Sequence, residues 1–138
     1  MWDSVDSTSS FKEYFNSKLA NLMFAFLLAK EVDKNGSKIT VNALHPGWVN
    51  SDIDRNGSFL LRTVHKALAF CFARSPIQGA QTSIRLASDP TLEKVNGKYF
   101  EDTSQLITKH AHSYASDEAM QKALWNYSSS LVGLPTKW

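Results

Sequence analysis

A single cysteine, Cys71, in 138 residues excludes a disulfide scaffold and any zinc site built from several thiolates. Without paired cysteines the chain has no use for an oxidising compartment, so an intracellular setting is expected, cytoplasmic or peripheral to a membrane. Charge of one sign is also scarce. The formal net charge is +2, and no Lys/Arg cluster interleaves with aromatics as a nucleic-acid groove requires. Long apolar runs are missing too: the most apolar stretch, residues 19–29, includes Asn21 and falls well short of the roughly 20 residues that span a bilayer. The opening residues carry neither the basic leader nor the apolar core of a signal peptide. What remains is an ordinary globular composition, 43% hydrophobic and 20% charged, in a length that suits one domain.

The pattern of apolar residues alternates between helix and strand periods. Ser10-Phe11-Lys12-Glu13 has the form of a capping box, and a helix is predicted from there to about Lys34, where Asn35-Gly36 supplies a stop. Phe15, Leu19, Leu22, Phe26 and Ala29 form one stripe along it, and Met23, Phe24, Leu27 and Leu28 widen the apolar surface almost all round. Residues 38–44 read as a strand, with Ile39, Val41 and Ala43 alternating against Thr40 and Asn42 until Pro46-Gly47 ends it. A second helix is expected over 59–72. A third starts at Ser75-Pro76 and ends near Asp89-Pro90. Gly97-Lys98-Tyr99-Phe100 reads as a short second strand, and 116–131 as a last helix with Ala119, Ala123, Leu124, Tyr127 and Leu131 on its apolar side. Two strands of parallel type are marginal alone, so the expected fold class is α/β, the end of an open sheet whose earlier strands are missing.

Chemistry enters at two places. Tyr14 and Lys18 stand four apart on the first helix and so share a face. A free phenol ionises only near pH 10. An ammonium beside it favours the phenolate and lets it exchange a proton with an alcohol or carbonyl oxygen while hydride moves to or from a cofactor. A lysine beside a surface tyrosine is the plainer alternative for the pair alone. The second place is the strand end Asn42-Ala43-Leu44-His45-Pro46-Gly47-Trp48-Val49-Asn50-Ser51, since α/β sheets hold ligands at the carboxyl ends of their strands. With a Pro-Gly turn there, backbone groups around Val49 and the Ser51 hydroxyl can bond a carboxamide; for Pro-Gly in isolation an ordinary loop is the plainer alternative.

Four blocks in order carry a specific resemblance. Tyr14-Phe15-Asn16-Ser17-Lys18-Leu19-Ala20-Asn21, the Asn42–Val49 segment, Pro76-Ile77-Gln78-Gly79-Ala80-Gln81-Thr82 and Asn96-Gly97-Lys98-Tyr99-Phe100 resemble the second half of a short-chain dehydrogenase/reductase, in the branch of retinol dehydrogenases and WW-domain oxidoreductases. Trp125-Asn126 fits that branch as well. The resemblance covers nearly the whole chain, 1–138, as one partial domain. It implies the carboxyl-terminal part of a Rossmann-type doubly wound parallel sheet, lacking the dinucleotide-binding strands. It implies Tyr14 as catalytic acid/base, Lys18 as its partner and ribose ligand, and Pro46, Gly47, Val49 and Ser51 beside the nicotinamide of NADP or NAD, with NADP the leaning of the branch. The implied substrate is a small apolar alcohol or carbonyl compound, such as a retinoid or lipid aldehyde. The helix over 11–34 resembles the one through which the family dimerises, so a homodimer or heterodimer is implied there.

The sequence departs from the family where its glycine-rich phosphate loop and catalytic serine belong. The six glycines are scattered singly, and only thirteen residues precede Tyr14. Ser4, Ser7, Ser9 and Ser10 have no strand to position them, and none takes the serine's role. Weak dinucleotide binding and no turnover are therefore expected of the 138 residues by themselves. Two further readings stand beside this one: a truncated, catalytically inactive form that acts by pairing its first helix, and an incomplete gene model. His110 and His112 lack a carboxylate or thiolate at ligand spacing, so no metal site is expected. The helix over 59–72 is apolar on one side and basic on the other, a pattern shared by a membrane-surface helix, a pocket lid and a plain packing helix.

Overall fold

The computed structural model describes residues 10–50, 63, 66, 68–69, 72–101, 105–106 and 113–135. Helix α1 (Ser10–Lys34) leads to strand β1 (Ala43–His45), then to helix α2 (Pro76–Ser88), strands β2 (Tyr99–Glu101) and β3 (Gln105–Leu106), and helix α3 (Glu118–Leu131). Thr63, Lys66, Leu68, Ala69 and Phe72 are helical, in keeping with the helix expected over 59–72, most of which lies outside the described residues.

The strands form one sheet in the order β1-β2-β3. β1 and β2 are parallel, with Leu44 opposite Phe100, while β3 returns antiparallel, with Leu106 opposite Phe100. The α/β class holds, but the count of two strands is corrected to three, the last antiparallel. A two-residue strand is too short to show a period of two, so sequence pattern had nothing to report there.

α1 keeps its predicted bounds. Its core contribution is Met23, Leu27 and Ala29, each no more than 2% exposed, whereas Phe15 at 65% and Phe24 at 47% remain open. The helix stops in a Schellman arrangement: Gly36 takes φ 63°, its N–H donates to the Asp33 carbonyl and the Ser37 N–H to the Val32 carbonyl.

β1 is shorter than the strand predicted over 38–44, and the reason is chemical. Two asparagine amides replace ladder bonds at its entry. Val41 N–H donates to Asn96 Oδ1 at 2.7 Å, and Asn96 Nδ2 donates to the Ala29 carbonyl at 2.9 Å. Asn42 Nδ2 reaches the Val95 carbonyl at 2.7 Å while its Oδ1 accepts from Lys98 N–H at 3.0 Å. These crossed amides tie the end of α1 to the entries of β1 and β2. Gly97, at φ 67°, turns so close to α1 that a Cβ there would lie 3.4 Å from the Ala29 methyl.

α3 starts at Asp117, whose side chain accepts from Met120 N–H at 3.1 Å. The predicted apolar face is a second correction. Ala119, Ala123, Tyr127 and Leu131 are exposed and Leu124 is half-buried, while the buried positions are Gln121 and Ser129. The helix is turned by its partner: Trp125 stacks on Phe24 of α1 at 5.0 Å and 4°, and Gln121 Nε2 donates to the Ala115 carbonyl. Glu118 closes the same interface, with one oxygen 3.0 Å from Lys30 Nζ and the other 2.8 Å from Lys122 Nζ. Hydrogen bonds from these two ammonium groups hold its carboxyl down to about 2. No helix among the described residues is long and apolar enough to cross a membrane.

Candidate active site

The turn after β1 is held residue by residue. Pro46-Gly47 follows His45, Gly47 adopts φ 80°, and its N–H donates to His45 Nδ1 at 3.1 Å. A β side chain at Gly47 would be strained by that φ and would meet the Arg74 guanidinium at 3.2 Å from Nε. The next residues are extended. Trp48 C=O accepts from Arg74 N–H at 2.8 Å and Asn50 N–H donates to the Arg74 carbonyl at 2.9 Å, a parallel bridge between Val49 and Arg74. Backbone groups alternate sides along an extended chain, so the N–H and C=O of Val49 face away from Arg74. Neither forms a hydrogen bond among the described residues. A donor and an acceptor side by side on one residue are complementary to a primary carboxamide, which carries an NH2 group that donates and a carbonyl oxygen that accepts. The residues present therefore fit the nicotinamide end of a dinucleotide.

Tyr14 and Lys18 lie one helical turn apart on α1, both exposed, Tyr14 at 41%. Lys18 Nζ stands 5.1 Å from the Tyr14 ring centroid, a cation over the aromatic face, and Phe15 meets the same ring edge-on at 5.8 Å. The Tyr14 carbonyl accepts from Ser17 Oγ at 2.7 Å.

The structure thus assembles each half of the predicted site: Tyr14 with Lys18, and Pro46, Gly47 and Val49 in one turn. No hydrogen bond or ring contact joins the halves among the described residues, and Ser51 lies outside them, as do Cys71, His110 and His112. A hollow of about 150 Å³ between α1 and α3, beside Asn21, Phe24 and Trp125, is lined by none of the predicted site residues.

Sequence reasoning missed Arg74 as the clamp on the turn and Gly79 as its floor. A signal for both was present. Ser75 and Gln78 form a capping box, with Gln78 N–H donating to Ser75 Oγ at 3.2 Å and Ser75 N–H to Gln78 Oε1 at 2.8 Å, which fixes α2 just after Arg74. A glycine in the first turns of a helix usually answers to close packing.

Taken together, a parallel strand ending in a Pro-Gly turn and a helix bearing the Tyr-Lys pair make up an α/β arrangement. The resemblance to short-chain dehydrogenase/reductases of the retinol dehydrogenase branch holds over nearly the whole chain. It is 37% identical to human "Retinol dehydrogenase 14" over 96% of its own length and 40% of that protein's. It is 36% identical to "Short-chain dehydrogenase TIC 32 A, chloroplastic" of Brassica napus, over 92% of this chain and 38% of that protein. With mouse "Polyprenol dehydrogenase" the identity is 33% over 91% of this chain and 36% of that protein. The chain spans about two-fifths of the length of these curated relatives. No family model matches it.

Proposed function

We propose that this chain carries the proton-transfer and nicotinamide-facing part of an NAD(P)-dependent oxidoreductase that interconverts an alcohol and a carbonyl compound. The observation that carries the reading is the peptide pair of Val49, unbonded among the described residues and held in a clamped turn at the carboxyl end of a parallel strand. Both halves of the site lead away from one anchoring junction, where Ala29 of α1, Val41 and Asn96 are bonded together. Bound NADP or NAD supplies the hydride acceptor or donor. In carbonyl reduction Tyr14 gives its phenolic proton to the substrate oxygen, and in alcohol oxidation it takes that proton back. Lys18, with donors to spare, holds the ribose hydroxyls and keeps positive charge against the Tyr14 ring. The Val49 N–H and C=O, with the Ser51 hydroxyl, orient the carboxamide.

The finer fold reading belongs here too. β1 has a strand on one edge only among the described residues, and parallel pairs are normally flanked on both sides. That supports the carboxyl-terminal part of a doubly wound parallel sheet, with the phosphate-binding strands and the catalytic serine outside these 138 residues. An apolar substrate, a retinoid or lipid aldehyde, is supported by relatives named for retinol and polyprenol.

The test is made in the longest native protein that contains this chain, with NADPH or NADH and an apolar aldehyde. Tyr14→Phe is expected to lower kcat by about 10²-fold or more; full turnover in that variant overturns the reading. For the 138 residues alone, a nicotinamide-fluorescence titration is expected to show binding weaker than micromolar. A second reading, an inactive form that dimerises through α1, is favoured by the exposed Phe15 and Phe24. Sedimentation separates the two, since a compact monomer counts against it.

A further inference from the structure

We infer that Gly79 is a positioning residue for the nicotinamide end of the site, because it receives the Val49 side chain and so sets the depth at which the Val49 peptide is presented. This rests on the function proposed above and adds a residue to it. Gly79 is buried in the first turns of α2. A Cβ placed on it would lie 2.5 Å from Val49 Cγ2, closer than carbon atoms approach, and 3.2 Å from Cγ1, a tight contact. Changing the valine rotamer does not clear the space, since its branched side chain is stiff and its two methyls cannot vacate both of these close positions at once. The backbone has to move instead, and on its other side it is bonded to Arg74 at Trp48 and Asn50.

Gly79 and Arg74 also belong to one rigid piece. Gly79 N–H donates to the Ser75 carbonyl at 2.9 Å, and the capping box with Pro76 fixes the helix entry directly after Arg74. That piece grips four successive residues: the Arg74 side chain covers Gly47, its backbone holds Trp48 and Asn50, and Gly79 seats Val49 between them. A methyl at position 79 therefore lifts Val49 off its seat and tilts its N–H and C=O, while removing the Val49 methyls restores the fit.

The experiment uses the 138-residue chain, its Gly79→Ala and Val49→Ala variants and the double variant. It reads hydrogen exchange at the Arg74 and Asn50 amides, and the shift of the Val49 amide on titration with nicotinamide mononucleotide. Gly79→Ala is expected to speed exchange at both amides and to weaken mononucleotide binding about tenfold, the worth of one well-aligned hydrogen bond. The double variant is expected to recover both, which a loss of fold would not. Unchanged exchange in Gly79→Ala, or no recovery in the double variant, overturns the inference. Normal exchange coupling with no mononucleotide-dependent shift in the unmodified chain overturns the nicotinamide reading instead, and with it the role of Gly79 toward that ligand.

Discussion

Asn96 offers the sharpest test of how the strand end is held in place. Its side chain joins three segments, accepting from Val41 N–H at 2.7 Å and donating to the Ala29 carbonyl at 2.9 Å. Asn96→Ala leaves the Val41 N–H without its partner and takes from the Ala29 carbonyl the second of its bonds, the helical one within α1 remaining. A fully buried orphan costs about 1–3 kcal/mol. Here the surroundings are half-buried and water can reach part of the loss, so about 1 kcal/mol for the Val41 N–H and about 0.5 kcal/mol for the bond lost at Ala29 are appropriate, roughly 1.5 kcal/mol in all. Against a total stability of about 5–15 kcal/mol that is a large fraction. In urea unfolding, with a slope of about 2 kcal/mol/M, the midpoint should fall by about 0.75 M. Asn96→Asp separates the two bonds. The acceptor for Val41 survives, but a carboxylate oxygen now faces the Ala29 carbonyl, so at neutral pH this variant should be less stable than Asn96→Ala. A proton on that oxygen restores the donor. The folded chain therefore raises the carboxyl's pKa, and the recovered stability is fully present below its unfolded value near 4 and lost as pH rises through the folded one. A neutral-pH midpoint for Asn96→Asp equal to that of the unmodified protein would refute the reasoning.

Other outcomes follow from the same geometry. Glu118→Gln should flatten the acid limb of unfolding, because a carboxyl held down to about 2 contributes stability above its unfolded value near 4.5 that is lost as pH falls towards 2; an unchanged limb between pH 4.5 and 2 argues against the Lys30–Glu118–Lys122 contact. A double-mutant cycle on Phe24→Ala and Trp125→Ala should give a coupling of about 1 kcal/mol, as stacked rings do, and additivity would mean α1 and α3 are not joined there. Arg74→Ala keeps the backbone bridge but uncovers Gly47, so exchange at the Gly47 amide should quicken while that at Asn50 stays slow.

How much of this was legible beforehand depends on the range of the forces involved. The bounds of α1 could be read because its stop is local: Asn35-Gly36 supplies the left-handed residue that the Schellman bonds require. The start of α2 was equally open to reading, with Pro76 in its first turn and Ser75 before it. The face of α3 was not. Its apolar residues form a plausible stripe, yet Trp125 stacking on Phe24, some hundred positions away in sequence, turned that stripe outward. The entry of β1 failed for a related reason, since Asn42 and Asn96 meet only after the chain has folded back.

The site divides along the same line. Tyr14 and Lys18 face one way because a helix turns 100° per residue, and the Pro-Gly turn follows from the backbone freedom of Gly47, so sequence alone determined that both were present. What packs under Val49 and what clamps its neighbours had to wait for tertiary structure. Arg74 and Gly79 stand about 25 to 30 positions beyond Val49 in sequence, and only contact in space gives a glycine the task of leaving room for a valine.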